Sequence, residues 1–450
     1  MGTDSGFSQE GPPVAACPVF DANSALYQNL GLLKVAEEAS RRHGDLVVLH
    51  TGDDRDTYLL SGEQGLRSWK ENAAQLLATF GDVRSNANTT RMLLGADGQG
   101  ASWARVGLAL RRALSQAEAA SEAQFDAAAD AAADAFIAEV QGTVDDLRDL
   151  TRLWAVRSVA PTIFGSVADP ATLAQGLIAM QSFHRFVFNK TAETLHSAES
   201  SEEFIKIRAF LDQVVAASIE AARPGDPTFV AALAGALPEE IEPDARVNLL
   251  RPILFRILKD RLNVDGLGLF WALVHLARDD ALAAALAGEQ DAGARPDGRS
   301  LAMSVAKETA RLYPEHPFVY RTAGRSMSVD GMTIPTGATV LFSPWLMHHD
   351  QRCWREPSRF YGRRFMAESE DPECFMPFGL SPTARKQTRF MLRLLSRSLH
   401  TVTCALEFEI APACAPGNLR PFLRAQLAPR GPVPFVFRRR RQLVETGWLQ

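Results

Sequence analysis

The sequence predicts a mainly α-helical protein with small β-sheets, organised as a single large domain. Three observations lead there. The middle of the 450-residue chain is helical in pattern almost throughout, and beyond Pro314 the texture changes to short strands and Gly/Pro turns. The composition, 46% hydrophobic and 22% charged, is that of a chain able to bury a core, which excludes wholesale disorder.

Residues 1–20 read as a flexible leader, 21–442 as the folded domain and 443–450 as a tail. A first helix is expected over 27–43, from the apolar positions Leu30, Leu33 and Val35. Strands are expected at 45–50 and 57–60, separated by the turn-prone Gly52-Asp53-Asp54. An alanine-rich helix follows at 117–140, placing Phe125, Ala129, Ala132, Phe136 and Val140 on one face. Further helical windows cover 145–164, 173–189, 201–222 and 244–287. The last holds the apolar run from Gly266 to Val274 and reads as a buried central helix. Short strands are expected at 327–329, 339–342, 408–410 and 434–437.

Charge and cysteine usage narrow the function classes. With 48 Lys+Arg against 53 Asp+Glu, the net charge of −5 gives no reason to expect nucleic acid as a partner. The five cysteines (Cys17, Cys353, Cys374, Cys404, Cys414) form no Cys-x-x-Cys pair, which argues against a disulfide framework and against a zinc site. No apolar run reaches the roughly 18 residues that span a bilayer, and the polar start resembles no signal peptide. A cytoplasmic protein with no membrane span is the expectation. Asp145, Asp146 and Asp149 have the spacing of a magnesium-diphosphate motif, but no second metal motif accompanies them. They read better as acids at a helix start.

A series of patches in the second half carries a resemblance. Glu308 and Arg311, in Lys307-Glu-Thr-Ala-Arg-Leu-Tyr-Pro314, stand at i, i+3 and share a helix face. A hairpin pattern follows at 329–340, then His348-His349-Asp350, Trp354-Arg355-Glu356-Pro357, Arg364-Phe365, and Phe375-Met-Pro-Phe-Gly379. In this order and spacing the patches resemble the cytochrome P450 superfamily over residues 20–440, most strongly over 300–400. The resemblance implies that Glu308, Arg311 and Arg364 form a structural lock, and that 375–387 is the haem-ligand loop.

The loop departs from the family where the chemistry sits. The family's thiolate cysteine drives O–O cleavage by pushing electron density onto iron. Phe378 and Gly379 match the family loop, but the next glycine is Ser381, the ligand cysteine is Arg385 and the closing glycine is Gln387. A guanidinium has no usable lone pair and cannot ligate iron. The propionate-binding position two before the ligand is Thr383, and the arginine of the Trp-x-x-x-Arg clamp is Gly107. Only Trp103 and Arg321 survive as remnant haem-propionate positions. Anchored on Trp271, the family's acid–alcohol proton relay falls on Asn263 and Val264, with Asp265 next. The expectation is therefore a degenerate P450-fold protein with no haem and no metal.

Three functions from different classes follow. One is a non-catalytic accessory of a biosynthetic enzyme in bacterial natural-product pathways, since haem-less relatives of this fold accompany glycosyltransferases. Its docking face would be the basic stripe Arg385, Arg389, Arg393 and Arg397, which recurs every four residues. The second is a redox-independent isomerase, cyclase or lyase that binds a small hydrophobic or anionic ligand, with Asp265, Asn263 and Arg385 as candidate catalytic groups. The third is an atypical haem monooxygenase. Arg385 and Arg321, with Trp103, are candidates for an anion pocket, set against a reading in which Arg385 turns to solvent. A second basic run, 438–441, reads as a tail or an acidic-partner contact.

Overall fold

The computed structural model describes residues 18–21, 25–50, 56–78, 100–140, 142–165, 169–187, 202–261, 266–289, 300–329, 332–366, 373–380, 384–423 and 426–440. Of the expected leader, 1–20, residues 1–17 lie outside these while Val19 and Phe20 belong to a strand, and the expected tail, 443–450, lies wholly outside. By internal contacts the chain divides into two compact units, Met1–Asp82 with Pro317–Arg355, and Val83–His316 with Glu356–Gln450.

The elements run in chain order as follows. The first stretch holds β1 (Val19–Asp21), α1 (Ala25–His43), β2 (Leu46–His50), β3 (Thr57–Leu60), α2 (Gly62–Glu71) and β4 (Leu76–Ala78). Then come α3 (Gly100–Ala120), α4 (Glu122–Glu139), β5 (Gly142–Val144), α5 (Leu147–Phe164), α6 (Pro170–Val187), α7 (Glu202–Ala221) and α8 (Phe229–Gly235). The central segment gives α9 (Pro243–Arg261), α10 (Leu267–Leu276), α11 (Asp280–Ala287) and α12 (Leu301–Leu312). After these stand β6 (Val319–Ala323), β7 (Met327–Val329), β8 (Met332–Ile334), β9 (Thr339–Phe342) and α13 (Pro344–His348). The chain closes with α14 (Ala384–Ala405), β10 (Leu406–Ile410), β11 (Pro421–Leu423), β12 (Leu427–Pro429) and β13 (Phe435–Arg439).

The first unit is a mixed sheet of order β1-β2-β3-β9-β6-β4 with a small β7-β8 hairpin. Its interior strands read as continuous apolar runs, Leu46 to Leu49 and Val340 to Phe342, because both faces are buried. Trp345 of α13 donates its indole N–H to Glu37 Oε1 of α1 at 2.9 Å.

The second unit holds the helical core. α10 is apolar all round, with Phe270, Trp271, Ala272 and Leu273 each 0% exposed, as a helix enclosed on every side must be. Trp154 of α5 donates to Ser398 Oγ of α14 at 2.9 Å, and Trp271 to the Leu427 carbonyl at 2.7 Å, so neither buried indole N–H is wasted. β10, β13 and β5 form an antiparallel sheet against this core.

The central segment is not one helix, as the apolar pattern suggested, but three. Gly266 takes φ 61°, a left-handed conformation that ends the preceding register and is open to glycine without strain. An added Cβ there would also collide with the Thr151 carbonyl oxygen of α5. Asp279 opens α11 by accepting from Leu282 N at 2.9 Å, a helix cap that stops α10 from running on. The alanine-rich window likewise breaks, at Ser121, whose hydroxyl turns back to the Glu118 carbonyl at 3.0 Å.

Candidate functional site

The lock residues lie together. Glu308 and Arg311, three apart on α12, are both 0% exposed. Arg311 binds Glu308 through Nε at 2.7 Å and Nη2 at 2.9 Å, a bidentate fork. Arg364 Nε adds a third bond at 3.0 Å and the Tyr361 amide a fourth at 2.9 Å. Arg311 also donates to the Pro357 carbonyl at 2.8 Å. The carboxylate thus fixes the segment 357–364 onto α12.

Beside α12 runs a column of aromatic rings, buried at Trp271 and half-buried at the others. The Tyr313 ring stacks on Trp271 at 4.3 Å and 2°, and its hydroxyl lies 2.9 Å from His275 Nε2. His275 in turn stacks on Phe360 at 4.1 Å and 6°. Burial, helped by the Arg278 charge, pushes the imidazole down to about 3, so it stays neutral near pH 7. The Tyr313 phenol is pushed up by burial and keeps its proton.

A cavity of about 50 Å³ opens in the second unit between α5, the start of α10, the end of α12 and α14. Its walls are Trp154, Val159, Gly266 and Gly268, with Met391, Leu392 and Leu395 of α14 and Phe378 of the loop. Three polar groups reach it: Arg261, Tyr313 and Glu315. Glu315 accepts a hydrogen bond from the Gln426 side-chain amide. Sequence reading missed Arg261. It is the last residue of α9, a boundary that the continuous helical pattern of the sequence concealed.

Arg321 stands on β6 in the first unit, bonded to the Tyr320 carbonyl at 2.7 Å and 5.8 Å from the Trp69 ring. Asn263 and Asp265 lie outside the described residues, as do the side chains of Trp103 on α3 and Arg385 on α14. Of the basic stripe, Arg393 pairs with Asp126 and Arg397 with Asp130, the latter at 2.5 Å, both on α4. These two guanidiniums therefore join helices of the same unit. Pairing with Asp130 raises the Arg397 pKa. Arg389 is exposed.

The second basic run is no tail up to Arg440. Arg438 and Arg439 end strand β13, and Arg438 and Arg440 pair with Glu409 and Glu407 of the adjoining strand. Asp146 is the N-cap of α5, accepting from Arg148 N at 3.1 Å and from its guanidinium at 2.9 Å. Among the described residues no group of three or more His, Cys, Asp or Glu is placed to hold a metal ion.

Compared with known proteins, a family model described as Cytochrome P450 matches residues 267–383. Rainbow trout (Oncorhynchus mykiss) cytochrome P450 3A27 is 31% identical over 109 residues, 24% of this chain and 21% of that protein. Human cytochrome P450 3A7 is 34% identical over 108 residues, 23% of this chain and 22% of that protein. The matches thus span about a fifth of the length of these relatives. Solved structures align far more widely. The retinoic acid-bound cyanobacterial CYP120A1 gives a TM-score of 0.68 at 13% identity, over 95% of this chain and 100% of that one. A zebra fish cytochrome P450 with abiraterone gives 0.65 at 19%, over 91% and 99%. Residues 267–383 thus match the cytochrome P450 family, and the chain as a whole has the fold of cytochrome P450 structures. Its mainly helical fold with small sheets is that of the superfamily. Among the described residues no helix is long and apolar enough to cross a membrane.

A thiolate-ligated haem, the cofactor of cytochromes P450, does not fit the residues of the loop. From Phe375 to Met391 the sequence contains no cysteine, histidine or tyrosine, so the loop and the first turns of α14 offer no thiolate, imidazole or phenolate. Its sulfur atoms are the thioethers of Met376 and Met391, and a neutral thioether supplies no thiolate push. Cys374 precedes the loop turn and is buried.

Proposed function

We propose that this chain is a haem-independent member of the P450 superfamily that acts as an accessory protein, stabilising or activating a biosynthetic enzyme such as a glycosyltransferase in a bacterial natural-product pathway. The observation that carries the reading is the loop itself. In the sequence, arginine occupies the position aligned with the ligand cysteine, and a guanidinium has no lone pair for iron, while the Glu308–Arg311–Arg364 lock is fully assembled. A scaffold kept without its redox centre suits a binding role. Arg389, exposed on α14, supplies a basic group for an acidic partner surface.

The test is co-expression with the biosynthetic enzymes encoded beside it, read by size-exclusion chromatography and by the rate of the partner enzyme. A stable heterocomplex and a faster or longer-lived enzyme are expected. Separate elution together with an unchanged rate overturns the reading.

A second reading, a redox-independent isomerase, cyclase or lyase, is favoured by one observation: Arg261, Tyr313 and Glu315 converge on an otherwise apolar cavity. It expects Asp265→Ala to abolish turnover without unfolding the protein, and an intact rate in that variant counts against it.

A further inference from the structure

Arg261, the last residue of α9, is held in an unusual way for a charged side chain. Its guanidinium carbon lies 4.8 Å from the ring centroid of Phe125, 5.0 Å from Phe229 and 5.5 Å from Phe390. The rings come from α4, α8 and α14. They also touch one another: Phe125 meets Phe390 edge-on at 4.6 Å and 74°, and Phe229 at 6.5 Å. Phe229 is 0% exposed and Phe125 5%. Glu118 of α3 adds a carboxylate, its Oε1 3.7 Å from Arg261 Nη2.

Three π-faces and one carboxylate around a partly desolvated cation are the recognition chemistry of an organic-cation site. A guanidinium suits it better than an ammonium, being planar, permanently charged and more weakly hydrated. The rings are 100 residues or more from one another in sequence, apart from the cation itself, so the cation is what four helices share. Arg261 also forms part of the cavity wall that Phe378 of the ligand loop borders.

The geometry points to a built cation-binding box whose occupant is the chain's own Arg261. This internal guanidinium joins α9 to α3, α4, α8 and α14. The inference rests on the haem-independent reading above, because it assigns to a side chain the organising role that haem would otherwise hold.

The experiment is chemical rescue of Arg261→Ala, read by equilibrium unfolding in urea; guanidinium chloride would itself compete for the box. Losing a desolvated cation–π occupant lowers the folded-to-unfolded ratio by about 30-fold or more. About 20 mM methylguanidinium, binding the folded variant alone, is expected to restore a measurable part of that loss by mass action. It is expected to leave the wild type unchanged and to do nothing for the double variant Arg261→Ala/Phe390→Ala. Unfolding of Arg261→Ala within threefold of the wild type overturns the inference, as does equal action of methylguanidinium on all three proteins.

If Arg261→Ala does not fold alone, Arg261→Lys and Phe390→Leu provide the test. Their losses are expected to be non-additive in the double variant, and additive losses overturn the inference. An absorption spectrum of the wild type separates the two levels. A stoichiometric haem band removes the haem-independent reading, whereas haem-free protein with an unaffected Arg261→Ala removes only the box.

Discussion

Replacing Glu308 by glutamine changes little in shape and a great deal in electrostatics. The carboxylate is 0% exposed and accepts four hydrogen bonds, two from Arg311, one from Arg364 and one from the Tyr361 amide. Glutamine keeps one acceptor oxygen and turns an NH2 donor toward guanidinium donors. Arg311, itself 0% exposed, is left with backbone carbonyls at 2.8 Å and 3.3 Å as acceptors and no counter-charge from position 308. Breaking a buried pair by removing one partner costs about 3–5 kcal/mol. That is a large share of the roughly 5–15 kcal/mol by which a typical protein is stable. Urea unfolding followed by far-UV circular dichroism measures it, with Arg364→Ala as comparison. Arg364 is 14% exposed and gives one bond to the carboxylate, so its loss is expected to cost about 1–2 kcal/mol. A Glu308→Gln cost below about 1 kcal/mol, or one smaller than that of Arg364→Ala, refutes the reasoning.

The remaining predictions use other parts of the molecule. The unfolded imidazole of His275 titrates near ~6.5, but in the folded chain burial pushes it down to about 3. Between these values the unfolded state takes up a proton that the folded state refuses. Stability therefore falls as pH drops below about 6.5, by up to ~1.4 kcal/mol per pH unit from this group. His275→Phe is expected to flatten that slope, and equal slopes in urea titrations from pH 7 to 4 contradict the assignment. Arg393→Ala and Arg397→Ala each remove a partly exposed pair with α4. Each is expected to cost about 1 kcal/mol or less at low salt, and less again at about 1 M salt. Trp271→Phe gives up the buried bond to the Leu427 carbonyl and is expected to cost about 1–3 kcal/mol in the same assay. Arg389→Glu is expected to weaken the heterocomplex about tenfold or more while leaving the urea midpoint unchanged.

The fold was legible because its signals are local. Glu308 and Arg311 declare themselves by helical spacing. The strands at Thr57–Leu60, Met327–Val329 and Thr339–Phe342 appear where short apolar runs meet turns. What stayed hidden needs tertiary structure. The apolar run that includes Trp271 looks the same whether the helix is continuous or begins afresh at Leu267. The left-handed Gly266 decides, and glycine alone does not announce its φ. The box around Arg261 draws on Phe125, Phe229 and Phe390, which no periodicity connects. The pairing of Arg393 and Arg397 did leave a trace. Asp126 and Asp130 repeat the same four-residue step with opposite charge, each 267 positions upstream of its partner. Read alone, the arginine stripe looked like a surface; read against α4, half of it is a helix–helix seam.

The most direct test of the central claim is the absorption spectrum of purified protein together with its iron content, on chain expressed with ample haem supply. The account predicts no band near ~400 nm and iron far below one atom per chain, in protein that is folded by circular dichroism. Haem at close to one per chain, ligated by any side chain of this molecule, would contradict it.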